Sequence, residues 1–483
     1  MGDVNVLFVT LDEFRADCLS AAGHPVVETP TLDRLAGEGV RFASHFSQAA
    51  PCAPGRASLY TGMYQMNHRV VANGAPLEDR FDNVARMARR AGYAPALFGY
   101  TDQGVDPSTV ADPSDPSLDT YEGVLPGFDP VLPLDGRFLG WLAWLEELGH
   151  GTLSAPDALR SEPDRPPEHS VSAFLSDSLI GWIDRQDGPW FAHASYFRPH
   201  FPYAAAGGYA TRYAPEEVGE ALPALPGLHP LYDMALGIDV VRAPTEPEAL
   251  AQLRAQYFGM VSEVDHQLGR VVDHLRATGQ LDDTVVVVTS DHGEQLGDHG
   301  LIWKLGFFEE SYRIPCIVRH PGAVAAPGRV VTEFTEGVDV LVTLAELLGQ
   351  EVPLQCDGAS LVPFLAGDVP EGWRTAAHYE WDWRDLVMGP TRTSGGRDPG
   401  LDRYNLAVER DATHAYVQFA DGTWLCFDLD ADPTWATTTT DPAVVLPLAQ
   451  SMLTWRSTHL GGPYTQRLLG PARRGLWPEL AST

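Results

Sequence analysis

The sequence predicts an α/β fold in which helices flank a mainly parallel sheet. Two apolar runs, 6–10 and 282–289, lack the alternation of half-exposed strands and are typical of strands buried on both faces. Amphipathic stretches alternate with the strand candidates, as they do in α/β domains. Each run is followed by an aspartate, Asp12 or Asp291. Parallel sheets bind ligands at the carboxyl ends of their strands, so this fold class is able to bring the two carboxylates together.

The other elements of the first 370 residues continue this alternation. Shorter strand candidates lie at 94–98, 190–195 and 314–318, and amphipathic stretches lie at 32–37, 79–92, 170–185 and 247–278. The segment 101–167 is rich in Asp, Pro, Ser and Gly and has little periodicity apart from 138–148. We predict that it is a long excursion over the active-site face of a catalytic domain spanning 1–370.

The pattern of apolar residues changes near residue 370. Alternating runs at 376–383, 404–409, 414–419 and 423–428 predict a small antiparallel sheet, and 441–459 predicts one covering amphipathic helix. We therefore predict a C-terminal α+β subdomain and tail over 371–483. The tail from Pro463 and the excursion are suited to subunit contacts, and we predict a homodimer.

Charge and composition exclude several classes of function. The 483 residues carry 65 acidic and 33 basic side chains, for a formal net charge of -32. A field of this sign repels nucleic-acid phosphates and anionic lipid headgroups, so neither nucleic acid nor a membrane surface is a predicted partner. The hydrophobic fraction of 44% predicts a globular protein with a sizeable core.

The N-terminal region and the cysteines bear on the compartment. The first apolar run has neither a basic start nor a small-residue cleavage site, which predicts a buried strand rather than a signal peptide. No segment approaches the roughly 18 apolar residues of a membrane span. The five cysteines are odd in number and scattered. These features predict a cytoplasmic, disulfide-free enzyme.

One residue count is unusual, because the chain has 32 arginines and a single lysine, Lys304. A drift from Lys to Arg spares lysine where a planar guanidinium cannot replace a compact, titratable ammonium. Lys304 is therefore either a functional ammonium or a chance survivor on the surface, and composition alone leaves both open.

The segment from Pro51 to Gly62 is the densest candidate site. Pro54 and the Ala-Ser-Leu-Tyr run that follows predict the first turns of a helix that ends at Gly62. Cys52 then lies at or just before the positive end of the helix dipole, where anionic groups are stabilised. A buried structural cysteine explains this position equally well on physical grounds.

The same segment resembles a known family. Cys52-Ala53-Pro54-Gly55-Arg56 matches the C-x-P-x-R signature of the type I sulfatases, in which the cysteine is oxidised to formylglycine. Further matching blocks cover nearly the whole chain: Asp12-Glu13-Phe14-Arg15-Ala16-Asp17, the Thr-Pro-Thr-Leu-Asp-Arg-Leu run from Thr29, Phe197-Arg198-Pro199-His200, Ser290-Asp291-His292-Gly293-Glu294 and Gly297-Asp298-His299. Their order and spacing resemble most closely the phosphonate monoester hydrolase and arylsulfatase branch, which implies an alkaline-phosphatase-like fold.

The resemblance implies two cofactors, a formylglycine formed from Cys52 and one divalent metal ion. In the hydrated aldehyde, one oxygen binds the cation and attacks sulfur or phosphorus, and the other later loses its proton to expel the product. Asp12, Asp291 and His292 would be the ligands beside the position-52 oxygen, a donor set that suits Mn²⁺ or Ca²⁺. Glu13 replaces an acidic ligand of the typical sulfatase pair and is a further candidate ligand.

The resemblance also implies roles around the substrate. Arg56 would bond the position-52 oxygen, and Asn73 would contact a non-bridging substrate oxygen, although an Asn-Gly turn also explains Asn73. His200 and Lys304 match a cationic pair that holds the charged oxygens and the leaving-group oxygen. One of the two would act as general acid or as electrostatic stabiliser when the leaving group departs.

A substrate-lining position departs from the branch pattern. The branch has a tyrosine followed by threonines that line the substrate pocket, whereas this chain has Tyr100-Thr101-Asp102. A carboxylate at Asp102 would disfavour further negative charge and is able to hydrogen-bond a different leaving group.

The resulting prediction is a formylglycine-dependent hydrolase of sulfate monoesters, an arylsulfatase, with promiscuous hydrolysis of phosphonate monoesters and phosphodiesters. The alternative is a phosphonate monoester hydrolase or phosphodiesterase, which Asp102 and a chain short for that activity disfavour. A two-metal phosphatase would need a Ser or Thr nucleophile and a second ligand cluster. An unconverted Cys52 would leave a non-catalytic anion-binding protein. The predicted partners are a small anionic ester and, transiently, the formylglycine-generating enzyme.

Overall fold

The computed structural model describes residues 4–120, 122–384, 386, 400, 403–461, 468–469 and 475–476. Its strands, in chain order, are β1 (Asn5–Leu11), β2 (Val40–Phe46), β3 (Ala49–Ala50), β4 (Ala96–Gly99), β5 (Asp129–Pro133), β6 (Phe191–Tyr196), β7 (Thr284–Thr289), β8 (Cys316–Arg319), β9 (Arg329–Glu336), β10 (Ala376–Asp382), β11 (Asn405–Asp411), β12 (His414–Phe419), β13 (Trp424–Asp428), β14 (Leu468–Leu469) and β15 (Gly475–Leu476).

The α-helices of the same described residues flank these strands. In chain order they are α1 (Pro30–Glu38), α2 (Cys52–Thr61), α3 (Gln65–His68), α4 (Val84–Arg90), α5 (Leu139–Glu147), α6 (Ala155–Arg160), α7 (Val171–Ile183), α8 (Pro230–Leu236), α9 (Pro247–Ala277), α10 (Val338–Leu347), α11 (Val362–Ala366) and α12 (Pro442–His459).

The main sheet has eight strands in the order β5-β4-β6-β1-β7-β8-β2-β9. All neighbours run parallel except β8, which is antiparallel to both β7 and β2. Strand β1 lies at the centre of the sheet, between β6 and β7. The predicted α/β class with a mainly parallel sheet is confirmed.

The two faces of the sheet pack against different helices. On β1, Leu7 and Val9 belong to the core that includes α1, α7 and α9, whereas Val6 and Phe8 belong to the core that includes α2, α4 and α10. This two-sided burial explains the continuous apolar run that predicted the strand.

Most predicted elements are present, with shifted boundaries. The run 282–289 forms a strand only from Thr284, because 280–283 is a 3-10 turn. Strands β2 and β9 were not predicted, since both carry polar residues within their sequences. The excursion contributes β5 to the edge of the sheet, and the periodic part at 138–148 is helix α5.

The C-terminal strands form the predicted small sheet, in the order β13-β12-β11-β10-β3. Strands β10 to β13 are antiparallel neighbours, and α12 contributes apolar residues to the core against the sheet. Strand β3, at 49–50, pairs in parallel with β10, so this sheet reaches the residues that directly precede Cys52. The division at residue 370 stays a prediction, and most of the tail from Pro463 lies outside the described residues.

The structure also bears on two sequence predictions, which concern disulfide bonds and membrane-spanning helices. All five cysteines are free, as predicted. Among the described residues, no helix is both long and apolar enough to cross a membrane.

Gly99, at the end of β4, allows a close approach to β6. Its φ is +107°, and a Cβ there would lie 2.1 Å from the carbonyl oxygen of Ser195. We expect Gly99→Ala to lower the free energy of unfolding by more than about 1 kcal/mol, because both the backbone conformation and the close contact exclude a side chain. Urea denaturation measures the change. Gly188→Ala is the control, since a Cβ at Gly188 meets no atom within 4 Å; equal effects would contradict the prediction.

Candidate active site

The ends of β1 and β7 bring the two predicted aspartates together. The strands are parallel neighbours with Thr10 opposite Thr289, so the residues that follow each strand meet at one edge of the sheet. The backbone N–H of Glu13 donates to Asp291 Oδ1 at 3.3 Å, which ties the two strand ends directly. Strand topology therefore unites Asp12 and Asp291, as expected.

Helix α2 places Cys52 against the same strand ends. Cys52 is the first residue of the helix and is 5% exposed. A Cβ at Gly55 would lie 2.6 Å from the carbonyl oxygen of Asp291, so only glycine permits this close approach. The Sγ atom of Cys52 lies 3.3 Å from His292 Nε2. Burial, reinforced by neighbouring carboxylates, raises the pKa of the Cys52 thiol well above its ordinary value.

Four of the predicted metal ligands form one buried cluster. The ligand atoms of Asp12, Cys52, Asp291 and His292 all lie within 4.8 Å of one another. Oδ1 of Asp12 is buried and has no hydrogen-bond partner among the described residues. Two carboxylates, one of which has an oxygen without a partner, and an imidazole form a donor set that fits one hard divalent cation.

Arg56 bridges the carboxylates of this cluster. Its Nη2 donates to Asp12 Oδ2 at 2.9 Å and its Nε to Asp291 Oδ2 at 2.8 Å. Its Nη1 bonds the hydroxyls of Tyr60 and Ser195. Burial alone raises the pKa of Asp12, but Arg56 and the other cations nearby hold it below the ordinary aspartate value. Arg56 therefore holds the carboxylates of the candidate metal cluster, a contact that the sequence analysis did not assign to it.

A series of buried hydrogen bonds through Tyr60 and His193 supports Arg56. Tyr60 OH lies 3.0 Å from His193 Nε2, and His193 Nδ1 lies 3.1 Å from the carbonyl oxygen of Phe8. The carbonyl can only accept, so Nδ1 carries the proton and Nε2 accepts from Tyr60. Sequence reasoning gave no functional role to these residues or to Ser195. Tyr60 lies in the predicted helix after Cys52, and no motif marks His193 or Ser195.

Lys304, His200 and Glu13 form a second polar group beside the cluster. Lys304 Nζ lies 3.0 Å from Glu13 Oε1 and 3.2 Å from His200 Nε2. His200 Nδ1 lies 2.7 Å from the carbonyl oxygen of Phe201, so Nδ1 carries the proton and Nε2 accepts from the ammonium. Burial and the positive charge of Lys304 lower the pKa of His200 well below its ordinary value. The predicted cationic pair therefore carries its positive charge on Lys304.

This arrangement places Glu13 differently from the other candidate ligands. Glu13 is absent from the four-donor cluster and groups with Asp12 and His200 instead. Its Oε2 also accepts the backbone N–H of Phe201 at 3.3 Å. Its carboxylate thus contacts the ammonium of Lys304 and the His200 loop, which favours a role in positioning these groups.

Three further predicted residues line the same cavity. The side-chain oxygen of Asn73 accepts the backbone N–H of Ala53 at 3.0 Å, which leaves the NH₂ group of Asn73 to donate elsewhere. Tyr100 donates from its hydroxyl to Asp12 Oδ2, and its ring lies under the Arg56 guanidinium. Asp102 Oδ2 lies 3.5 Å from Arg56 Nε. Burial raises the pKa of Asp102 to about 8.

The cavity has a volume of about 370 Å³, and its lining combines these polar residues with apolar side chains. The predicted residues that line it are Asp12, Cys52, Asn73, Tyr100, Asp102, His200 and Lys304. The walls come largely from loops and from the excursion, and their apolar members are Pro51, Leu134, Phe138, Phe197, Phe201, Val240, Val241, Trp303, Leu305 and Leu386. Sequence reasoning places Pro51 and Phe197 in candidate motifs and predicts that the excursion, which contains Leu134 and Phe138, covers the active-site face. It does not associate the other apolar residues with the site, because nothing in their local patterns marks them.

Two family models and a solved structure are similar to this chain. A family model described as "Sulfatase" matches residues 4–350, and one described as "N-sulphoglucosamine sulphohydrolase, C-terminal" matches residues 297–452. The crystal structure of the phosphonate monoester hydrolase of Agrobacterium radiobacter is 40% identical, with a TM-score of 0.91 over 98% of this chain and 100% of that chain.

Two curated relatives are similar over most of their length. The multifunctional alkaline phosphatase superfamily protein PehA of Trinickia caryophylli is 38% identical over 94% of this chain and 95% of PehA. The choline-sulfatase of Rhizobium meliloti is 30% identical over 89% of this chain and 81% of that protein.

The buried ion network of Arg56 generates a stability prediction. In metal-free protein, we expect Arg56→Gln to lower the free energy of unfolding by about 3–5 kcal/mol, because it leaves Asp12 and Asp291 buried without their cation. Arg34→Gln is the matched control, since Arg34 forms a 2.7 Å pair with Asp273 at the surface, where the two side chains are 39% and 60% exposed. The control should lose at most about 1 kcal/mol. Urea unfolding in excess chelator compares the two, and similar losses would argue against the network.

Proposed function

The chain belongs to the sulfatase family of the alkaline phosphatase superfamily, and on this basis we propose that it is a formylglycine-dependent hydrolase of singly charged esters. Phosphonate monoesters and sulfate monoesters are its proposed substrates, with phosphodiesters as a further class. These esters have similar shape and charge, so one cationic site is able to stabilise each transition state.

The observation that carries this proposal is the meeting of Cys52 with Asp12, Asp291 and His292 in one buried cluster. A structural cysteine needs no metal-ligand set around it, whereas a formylglycine nucleophile does. When bound, a divalent cation would supply Lewis-acid activation, and a formylglycine hydrate at position 52 would supply the attacking oxygen. The sequence favours Mn²⁺ slightly over Ca²⁺ because one ligand is an imidazole.

The chain's own residues then have distinct proposed roles. Arg56 fixes the orientation of Asp12 and Asp291 through two short charge-assisted bonds. The free NH₂ group of Asn73 donates to a non-bridging oxygen of the substrate. Tyr100 donates to Oδ2 of Asp12, the same oxygen that Arg56 bonds, so Oδ1 of Asp12 stays available for the cation.

Lys304 and His200 act on the leaving group in this proposal. Both line the cavity, and the ammonium donates to the imidazole over 3.2 Å. Lys304 stabilises the negative charge that develops on the leaving-group oxygen, and Glu13 holds the ammonium in place from the other side.

The position of Lys304 also argues against a two-metal phosphatase. The second group of donors in the described residues is Asp12, Glu13 and His200. Lys304 Nζ already contacts two of its members, Glu13 at 3.0 Å and His200 at 3.2 Å. An ammonium therefore takes the place that a second cation would need.

The sequence prediction placed hydrolysis of sulfate esters before hydrolysis of phosphonate monoesters, and we revise this order. Chain length was expected to disfavour phosphonate hydrolysis, yet the chain covers 100% of the phosphonate monoester hydrolase at 40% identity. This likeness favours phosphonate monoesters as the primary substrate. Arylsulfatase as the primary activity is the second candidate, supported by the choline-sulfatase and arylsulfatase relatives at 30% and 26% identity. Side-by-side values of kcat/KM for an aryl phosphonate and an aryl sulfate test this order.

The remaining parts of the proposal concern partners and place. Formation of the aldehyde requires a formylglycine-generating enzyme as a transient partner. The homodimer and the cytoplasmic location stay predictions.

Conversion of Cys52 is the first test. We expect Cys52→Ala to abolish hydrolysis of both aryl esters without lowering the melting temperature appreciably, because the residue supplies the nucleophile. Mass analysis of the peptide containing residue 52, from an aerobic host with the converting enzyme, should show an aldehyde in the wild type. Cys356→Ala, at a half-buried cysteine outside the motif, should keep full activity. An unmodified thiol in an active enzyme would exclude the proposed nucleophile.

The single lysine provides a second test. We expect Lys304→Arg to lower kcat/KM by roughly one to three orders of magnitude, because a wider guanidinium misplaces the charge beside Glu13 and His200. The matched conservative change at a surface pair, Arg34→Lys, should leave kcat/KM unchanged. Full activity in the Lys304 variant would identify this lysine as a chance survivor of compositional drift.

A further inference from the structure

The cavity contains two carboxylates that the proposed chemistry does not use, Asp102 and Glu122. We call this pair the acidic wall. Asp102 is 5% exposed, and among the described residues its one polar side-chain contact is Arg56 Nε at 3.5 Å. Arg56 does not need this contact, since its three nitrogens already make shorter bonds to Asp12, Asp291, Tyr60, Ser195 and the carbonyl oxygen of Tyr100. Asp102 is therefore a buried carboxyl group without a dedicated partner, and its ionised form is costly unless a ligand satisfies it.

The excursion brings Glu122 to the same cavity as Asp102. Thr101 Oγ1 donates to the carbonyl oxygen of Gly123 at 2.8 Å and accepts the backbone N–H of Leu125 at 2.9 Å. A Cβ at Gly123 would lie 2.4 Å from the carbonyl oxygen of Gln103, so the two segments are in direct backbone contact. Glu122 thus lies on the segment that packs along 101–103, and one of its oxygens accepts the backbone N–H of Gly136.

Aromatic rings line the cavity together with the acidic wall. Phe138 and Phe197 pack edge to face with ring centroids 5.1 Å apart, and Tyr100 lies 6.4 Å from Phe197. All three line the cavity, and Phe138 follows Gly136 by two residues. Rings combined with carboxylates are the surroundings in which proteins bind organic ammonium groups.

The charge balance of the cavity supports the same class of ligand. Among its described lining residues, Asp12, Asp102 and Glu122 carry carboxyl groups and Lys304 carries an ammonium. Burial raises the pKa of Asp102 to about 8, so its carboxyl group ionises most readily when a positive ligand group lies beside it. A second negative charge on the substrate would meet the acidic wall, whereas a positive charge would be attracted to it.

We propose that the acidic wall and its rings form a subsite for an organic ammonium group carried by the ester, so that the preferred substrate is a zwitterion. This inference rests on the proposed function and names its substrate class: an anionic sulfate or phosphonate ester at the metal-ligand cluster, with a quaternary or protonated amine on its organic part.

The binding test is independent of turnover. In metal-loaded, full-length Cys52→Ala protein, calorimetry compares 3-(trimethylammonio)phenol with 3-tert-butylphenol, which has the same shape without the charge. We expect the cation to bind at least about ten-fold more tightly, as a desolvated cation–π and carboxylate site allows. Adding Asp102→Asn or Glu122→Gln should reduce this preference several-fold. Asparagine suits the φ of +50° at position 102, so the first variant preserves the backbone.

A control variant separates local from general charge effects. Glu371→Gln removes one exposed carboxylate that does not line the cavity, and it should leave the preference unchanged. Melting temperatures of all variants verify folding. Equal binding of the two phenols, or an unchanged preference in both wall variants, would overturn the proposal.

A kinetic arm distinguishes failure of this inference from failure of the proposed function. The sulfate and phenylphosphonate esters of both phenols are compared in the wild type and in Asp102→Asn with Cys52 intact. For each ester, the kcat/KM of the variant is divided by that of the wild type, which cancels the different reactivities of the two leaving groups. We expect Asp102→Asn to lower kcat/KM several-fold more for the cationic ester than for the neutral one. Hydrolysis of both esters with equal loss overturns only the ammonium subsite, whereas no hydrolysis of either ester in converted wild-type enzyme overturns the proposed function.

Discussion

The buried guanidinium of Arg56 is the interaction on which the site depends. Two carboxylates from neighbouring parallel strands repel each other at the short separation that a shared metal ion requires. Arg56 lies between them, with bonds of 2.9 Å to Asp12 and 2.8 Å to Asp291. A planar fork is able to reach both acids while its remaining nitrogen bonds the supporting hydroxyls. The fold can therefore assemble the acids before any cation binds.

Helix α2 links this constraint to the nucleophile. Arg56 and Cys52 are separated by one helical turn, so the residue that holds the carboxylates also fixes the helix start against them. Gly55 permits the close approach, because its missing side chain leaves room for the carbonyl oxygen of Asp291. Strand β3 of the C-terminal sheet directly precedes the helix, which couples the second sheet to the position of Cys52. Cys52, Gly55 and Arg56 of this short segment thus each contact the ends of the central strands.

The positive charge at this site is lower than it would be at a site with two metal ions. The ammonium of Lys304 contacts Glu13 and His200 and contributes one positive charge where a second divalent ion would contribute two. A less positive site suits a singly charged ester better than a doubly charged one. In the proposed subsite, Asp102 extends the same logic toward the organic part of the substrate, since its carboxyl group is able to ionise beside a positive group and does not hold the candidate metal ligands. The overall charge of -32 adds a long-range field of the same sign.

The sequence by itself determined the sheet class, several of the main helices and the residues of the candidate site. Buried parallel strands require continuous apolar runs, Asp12, Cys52, Arg56, Asp291 and His292 occur in short motifs that resemble those of one family, and Lys304 is the single lysine of the chain. Local sequence did not reveal β2 and β9, which carry polar residues and depend on their neighbours for pairing. Only the tertiary structure decided that Glu13 contacts Lys304, that Tyr60 and His193 support Arg56, and that Glu122 lines the same cavity as Asp102. These contacts join residues from separate segments, up to 291 positions apart for Glu13 and Lys304, and their geometry exists only when the strands, the helix and the excursion are packed together.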